Sequence, residues 1–97
     1  MNLPAVTATL DIYIAEINRF PILTAEEEFN LALQWKKENK MEAAEKLVVS
    51  NLRFVVKIAH EYKNYRFKLV DLIQEGNIGL MHAVKKFDPY KGYRLIS

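Results

Sequence analysis

The chain has 97 residues, of which 51% are hydrophobic and 27% are charged. This composition excludes a disordered chain, and this length predicts one small domain or part of a larger protein. The sequence contains no cysteine, which excludes a disulfide framework and a thiolate metal site, and no apolar run approaches the roughly 18 residues of a membrane span. Because no secretion signal is recognisable either, we expect a cytoplasmic protein without membrane contact.

Two short helices are predicted first. Thr9 can cap a helix that runs to about Arg19 and ends before Pro21. Thr24 opens a second helix, because Glu27 stands three residues later and completes a capping box. The predicted core residues of the first helix are Leu10, Ile14 and Ile17. Those of the second helix are Phe29, Ala32 and Leu33, with Trp35 at its edge.

Asn39 and Lys40 interrupt the pattern before a long helical stretch from Glu42 to about Tyr62. One stripe of this stretch contains Ala44, Leu47, Val48, Val55, Ile58, Ala59 and Tyr62. Asn51 lies in the middle of the stripe, and a buried amide needs hydrogen-bond partners. We therefore predict either a bend or a polar hub at Ser50 and Asn51.

A basic loop, residues 64–68, leads to a helix over residues 69–87 that contains Gly76 and Gly79. Each interior glycine costs a helix about 1 kcal/mol relative to alanine, so close approach of another backbone is expected. The predicted core stripe is Leu69, Leu72, Ile73, Gly76, Leu80, Ala83, Val84 and Phe87. Turns are predicted after the helix at Asp88-Pro89 and at Gly92.

Two further lines run along this last helix at helical spacing. They are Val70, Gln74, Asn77 and Met81, and then Asp71, Glu75, Ile78 and His82. They mix acids and amides with apolar side chains, and leaving a large apolar side chain in water forfeits about 1.5–3 kcal/mol. We expect these lines to face outward and to bind a partner protein.

Charge is distributed unevenly along the chain. Residues 1–45 contain four basic and eight acidic side chains, whereas residues 46–97 contain ten basic and four acidic ones. A candidate nucleic-acid surface consists of Arg53, Lys57, Lys63, Arg66 and Lys68. Its interleaved aromatic residues are Phe54, Tyr62, Tyr65 and Phe67, which suit stacking on single-stranded bases. Composition alone favours the plainer interpretation, a solvated face with half-buried aromatic rings.

No catalytic site is predicted. The two histidines, His60 and His82, are 22 residues apart, and the acids are scattered along helix surfaces without metal-ligand spacing. The spaced glycines neither follow a strand nor open a helix, so they do not form a phosphate loop. We expect neither an enzyme nor a cofactor or metal site. The predicted fold is all-α, a small bundle of about four to five helices.

Residues 51–59 and 71–81, with residues 83–89 and 92–94, closely resemble the sigma-70 family of bacterial RNA polymerase sigma factors. The resemblance extends back to the Leu-Thr-Ala-Glu-Glu-Glu helix start at residues 23–28. Housekeeping members usually carry Arg-Phe-Ser-Thr after the glycine, whereas this chain has Arg94-Leu95-Ile96-Ser97. That difference resembles the heat-shock or alternative branch.

The resemblance implies a bacterial transcription initiation factor whose motif helix, about residues 70–84, binds a coiled coil of the β′ subunit of core RNA polymerase. By position, the implied contacts are Asp71, Gln74, Glu75, Asn77 and Met81, with Val70 at the rim. Ile78 is added to them from the helical geometry.

Family members continue into helices that melt and read promoter DNA. We therefore expect an N-terminal fragment, residues 1–97 forming one helical domain, with residues 1–40 preceding the core-binding part and residues 41–97 beginning the central domain. Promoter binding is expected only of the full-length protein.

Two other interpretations stay open at this point. The first is a free-standing helical DNA-binding regulator, as the basic second half of the chain suggests. The second is a helical adaptor that binds some other coiled coil.

The resemblance also implies that a missing helix leaves apolar surface exposed around Val55, Phe87 and residues 93–96. We expect self-association of the isolated chain as a consequence.

Overall fold

A computed structural model describes residues 1, 3–6 and 9–96 of the chain. The five α-helices of this described part are α1 (Leu10–Ile17), α2 (Ala25–Glu38), α3 (Met41–Val49), α4 (Leu52–Tyr62) and α5 (Leu69–Lys86), followed by a 3-10 turn (Pro89–Lys91). No strand occurs among these residues, so the predicted all-α bundle is confirmed. Within the same residues, none of the helices combines the length and the apolar character that a bilayer crossing requires.

The start of α2 follows the sequence signal closely. The Thr24 hydroxyl accepts a hydrogen bond from the backbone N–H of Glu27 at 3.1 Å, and the Glu27 carboxylate accepts one from the backbone N–H of Thr24 at 2.9 Å. This confirms the capping box. The bond from the Thr24 backbone lowers the pKa of Glu27 below its ordinary value. Thr9 occupies the N-cap position of α1, as predicted, although its side chain makes no capping hydrogen bond.

The buried face of α2 differs from the predicted one. Ala32 is buried as expected, but Phe29 is exposed and packs edge-on against Tyr90 at 6.1 Å between ring centroids. Glu28 is buried in its place. The prediction for Phe29 was wrong because it considered hydrophobicity alone. Glu28 is buried instead because it has a charged partner elsewhere in the chain.

The long helical stretch divides at Ser50 and Asn51, which confirms the predicted bend. The Asn51 side-chain amide donates to the Leu47 carbonyl at 2.7 Å, and the Ser50 hydroxyl donates to the same carbonyl at 3.2 Å. These bonds satisfy the Leu47 carbonyl in the last turn of α3, where the helix is interrupted for two residues before α4 begins. Most of the predicted stripe is buried, but Tyr62 is exposed because α4 ends at that residue.

The two glycines of α5 have different surroundings. A Cβ atom added at Gly76 would lie 2.6 Å from Cγ1 of Val55 in α4, which confirms the predicted close approach at this position. A Cβ atom at Gly79 would meet nothing within 4 Å, so the same explanation is wrong for Gly79. Ala83 was predicted to be buried and is exposed on the same side of the helix.

The core joins one side of α5 to the other helices. Its largest fully buried side chains are Tyr13, Ile17, Leu47, Leu52, Ile73, Val48 and Val84. Tyr13 was absent from the predicted core, although its position between Leu10 and Ile17 has the helical spacing that would have identified it. Burying one side of α5 in this way leaves its opposite side facing out of the bundle.

Candidate functional site

The outward side of α5 presents four exposed residues, Asp71, Gln74, Glu75 and Ile78, which we call the docking face. Ile78 is 54% exposed, so it leaves apolar surface in contact with water beside the two carboxylates. The four positions follow one another at helical spacing, so they form one continuous strip about two turns long. The expectation that these residues face outward is confirmed.

Asp71 and Glu75 lie one turn apart and give the docking face a negative charge. Neither carboxylate makes a salt bridge within residues 1, 3–6 and 9–96. Asp71 stands in the first turn of α5, where a negative charge is favoured by the helix dipole. Both acids are therefore available for arginine or lysine side chains of another molecule, beside an apolar contact at Ile78.

Asn77 does not face outward as predicted. Its side chain is half-buried, and its amide nitrogen donates to the hydroxyl of Tyr13 at 3.1 Å. Burial raises the pKa of the Tyr13 hydroxyl above its ordinary value, and the hydrogen bond from Asn77 partly opposes that rise. Asn77 thus connects α5 to α1 across the bundle. Its exposure was overestimated because Tyr13 is 64 residues away and nothing in the sequence identifies it as the partner.

Met81 also departs from the prediction. It is half-buried and packs against the hydrophobic core, so only part of its side chain is open to a partner. Val70 is half-buried at the start of α5, in keeping with a position at the rim. His82 is exposed. The outward surface is therefore centred on the line through Asp71, Glu75 and Ile78.

The predicted nucleic-acid residues divide into two groups. Arg53 is half-buried, and its guanidinium donates to the carbonyl of Phe20 at 2.7 Å, so this arginine connects α4 to the turn after α1. The others lie exposed at the surface: Lys57, Lys63, Arg66 and Lys68. The interpretation of Arg53 as an open surface cation was wrong, because its length allows it to reach a backbone carbonyl 33 residues away.

The loop that carries three of these cations is shaped by Asn64. Its carboxamide oxygen accepts from the backbone N–H groups of Arg66 at 2.7 Å and Phe67 at 3.1 Å. The turn holds Tyr65 out of the bundle with 96% of its surface exposed. An aromatic ring surrounded by cations in this way has the composition that suits single-stranded nucleic acid.

An apolar groove of about 380 Å³ lies between α4 and α5. Phe54, Ile58 and Leu72 line it together with Gly79 and Ala83, and Ile96 borders it. The small residues of α5 leave this groove open because neither of them carries a side chain long enough to fill it. Val55 and Ile96, which lie among the positions first expected to border open apolar surface, both line this groove, whereas Phe87 is half-buried and lies outside it.

We predict that the isolated 97-residue chain self-associates through this groove. The weight-average mass measured by light scattering should rise above the monomer mass as concentration increases. Ala83→Lys, which places a charge at the mouth of the groove, should shift that rise to higher concentration. A mass that stays monomeric at every concentration would contradict the prediction.

Comparison with known proteins identifies the family. Residues 9–40 match the model for Sigma-70 factor, region 1.2, and residues 47–97 match the model for Sigma-70 region 2. The chain therefore belongs to the sigma-70 family.

Its curated relatives include the RNA polymerase sigma-C factor of Myxococcus xanthus, which is 53% identical over 89 residues, 92% of this chain and 30% of the relative. The RNA polymerase sigma factor RpoH of Caulobacter vibrioides is 51% identical over 86 residues, 89% of this chain and 29% of the relative. RpoH of Zymomonas mobilis is 51% identical over 87 residues, 90% of this chain and 29% of the relative. The chain thus spans about 30% of the length of these relatives.

Proposed function

We propose that this chain is the part of an RNA polymerase sigma factor that attaches the factor to core RNA polymerase. The observation that carries the proposal is the docking face, where two carboxylates without an ion pair in the described chain stand beside an exposed isoleucine. A surface of this kind matches a partner that offers arginines and apolar side chains together. The family membership supports the same partner.

The finer assignment follows from the family resemblance. The docking face, with Val70 at its rim and the open part of Met81 beside it, is proposed to bind the coiled coil of the β′ subunit. Asn77 then contributes by holding α5 in place through Tyr13 more than by direct contact. Residues 1–40 and 41–97 are proposed as two successive segments of one helical domain. The protein is proposed to be cytoplasmic and non-enzymatic.

Similarity to proteins named RpoH supports a factor of the heat-shock or alternative type. Promoter recognition is proposed only for the full-length protein, through segments beyond those described. The exposed cations and Tyr65 near residues 57–68 are proposed to add at most a weak contact with nucleic acid. Such a contact should weaken steeply with salt, because it depends on the release of counterions from phosphates.

A pull-down with purified core RNA polymerase tests this proposal. We expect the tagged chain to retain core polymerase at 150 mM salt and to retain little duplex DNA without it. Polymerase retained only when DNA is present, or strong duplex binding with no polymerase retained, would favour the free-standing DNA-binding regulator. Retention of neither would reject both functions.

A further inference from the structure

One acid of the described chain, Glu28 near the start of α2, is almost completely buried. Only 3% of the residue is exposed, although it stands in a run of three glutamates whose other two members are exposed. A buried carboxylate is costly unless hydrogen bonds and an opposite charge compensate it. Its partners are therefore the reason for its position.

Those partners come from the far end of the chain. The Arg94 guanidinium donates to the two carboxylate oxygens of Glu28, from Nε at 3.0 Å and from Nη2 at 3.5 Å. The backbone N–H of Leu95 donates to the same carboxylate at 2.9 Å. Arg94 also donates from Nη2 to the carbonyl of Leu23 at 3.2 Å, just before α2 begins.

Residues 92–96 make few other polar contacts with the bundle. They belong to no helix or strand, and no backbone–backbone hydrogen bond involves them in the described structure. Leu95 and Ile96 pack on the core with half-buried side chains, whereas Tyr93 is 59% exposed. The free energy of local opening is small for a segment with so few backbone hydrogen bonds. The hydrogen bonds to the Glu28 carboxylate therefore contribute much of the free energy that keeps this segment on the bundle.

The stretch just before this segment is attached to α2 in a different way. The Lys36 ammonium lies 3.0 Å from the Asp88 carboxylate, and both Lys36 and Lys37 lie 5.6 Å from the ring centroid of Tyr90. These contacts are at the other end of α2 and are exposed to solvent, where ion pairs are weak. They hold residues 88–90 along the helix, whereas the polar contacts of residues 93–96 are made with Glu28 and the Leu23 carbonyl.

We propose that Glu28 is a latch that holds residues 93–96 against the N-terminal end of α2. The segment then has a closed state, in which Arg94 and Leu95 bind one carboxylate, and an open state, in which it leaves the bundle from the turn at Gly92. Gly92 forms this turn with a positive φ of 79°. Because glycine adopts many backbone conformations at little cost, the segment can pivot at this residue. Anything that displaces α2 or competes for Arg94 shifts the segment towards the open state.

Hydrogen exchange of the Leu95 amide, measured by NMR on the whole chain, tests the latch. We expect this amide to be protected, and we expect both Glu28→Gln and Arg94→Met to speed its exchange by about tenfold or more. Lys91→Met removes a neighbouring exposed cation and serves as the matched control, with exchange changed by less than about twofold. The amides of Leu80 and Val84 in α5 should keep their protection in every variant.

An unprotected Leu95 amide in the unaltered chain would overturn the proposal. So would an Arg94→Met variant in which Leu95 keeps its protection. If Glu28→Gln unfolds the chain, the α5 amides will lose protection as well, and Arg94→Met then decides the matter alone. Arg94 suits that role because its side chain is 45% exposed and its replacement leaves no cavity in the core.

Discussion

Asp71→Lys combined with Glu75→Lys should lower the affinity for core RNA polymerase by at least about 100-fold. Removing one partner of a charge pair that is buried in an interface costs about 2–5 kcal/mol, and reversal adds repulsion to that loss. Both residues are exposed, so the fold should persist, with unchanged helical circular dichroism. Fluorescence titration of the labelled chain with core polymerase gives the affinity.

The matched control reverses two exposed acids outside the docking face, Glu16 in α1 and Glu61 in α4. This control has the same change of net charge, so it separates a local contact from long-range attraction. We expect it to change the affinity by less than about fivefold, because exposed charges away from an interface act mainly through screened electrostatics. An equal loss in both double variants would mean that α5 is not the attachment surface.

The sequence predicted that Asp71, Glu75 and Ile78 face outward, because these residues lie opposite the core stripe of their own helix. The spacing of Ile73, Leu80 and Val84 determines which side is buried, and the opposite side must then contain Asp71 and Glu75. No other element had to be positioned for this deduction. The capping box at Thr24 and Glu27 was predictable for the same reason, since its members are three residues apart.

Contacts between distant parts of the chain were not predictable in the same way. Asn77 was assigned to the partner surface, yet it bonds to Tyr13, 64 residues earlier. Glu28 looked like its neighbours in a run of acids, and its partner Arg94 is 66 residues away. In both cases a single sequence shows the residue type but not its partner, and the partner decides which side of the helix faces inward.

The exposure of Ala83 illustrates a third limit. Its position on the apolar stripe predicted burial, but a stripe gives only the direction in which a side chain points. Whether another element covers that direction depends on the rest of the bundle. In the described structure the groove beside Ala83 stays open, which is also the basis for the predicted self-association.

The two glycines of α5 offer a matched pair of substitutions with different expected effects on stability. Gly79→Ala should stabilise the chain by about 1 kcal/mol, because alanine favours the helix and the new methyl group meets no atom within 4 Å. Gly76→Ala has the same helix propensity gain, but its methyl group would lie 2.6 Å from Cγ1 of Val55. Overpacking of this kind costs about 1–3 kcal/mol, and the stiff β-branched valine relieves little of it.

The gain in helix propensity cancels when the two variants are compared, so the difference between their free energies of unfolding in urea isolates the packing term. We expect Gly76→Ala to be less stable than Gly79→Ala by about 1–3 kcal/mol, or roughly 4–8 °C in Tm for each kcal/mol. In a Val55→Ala background that difference should largely disappear, because the methyl group in conflict is gone. If Gly76→Ala is as stable as Gly79→Ala with Val55 present, α4 and α5 do not approach each other as closely as described. The position of the docking face relative to the bundle would then need revision, since the contact between Gly76 and Val55 determines how α5 is rotated against α4.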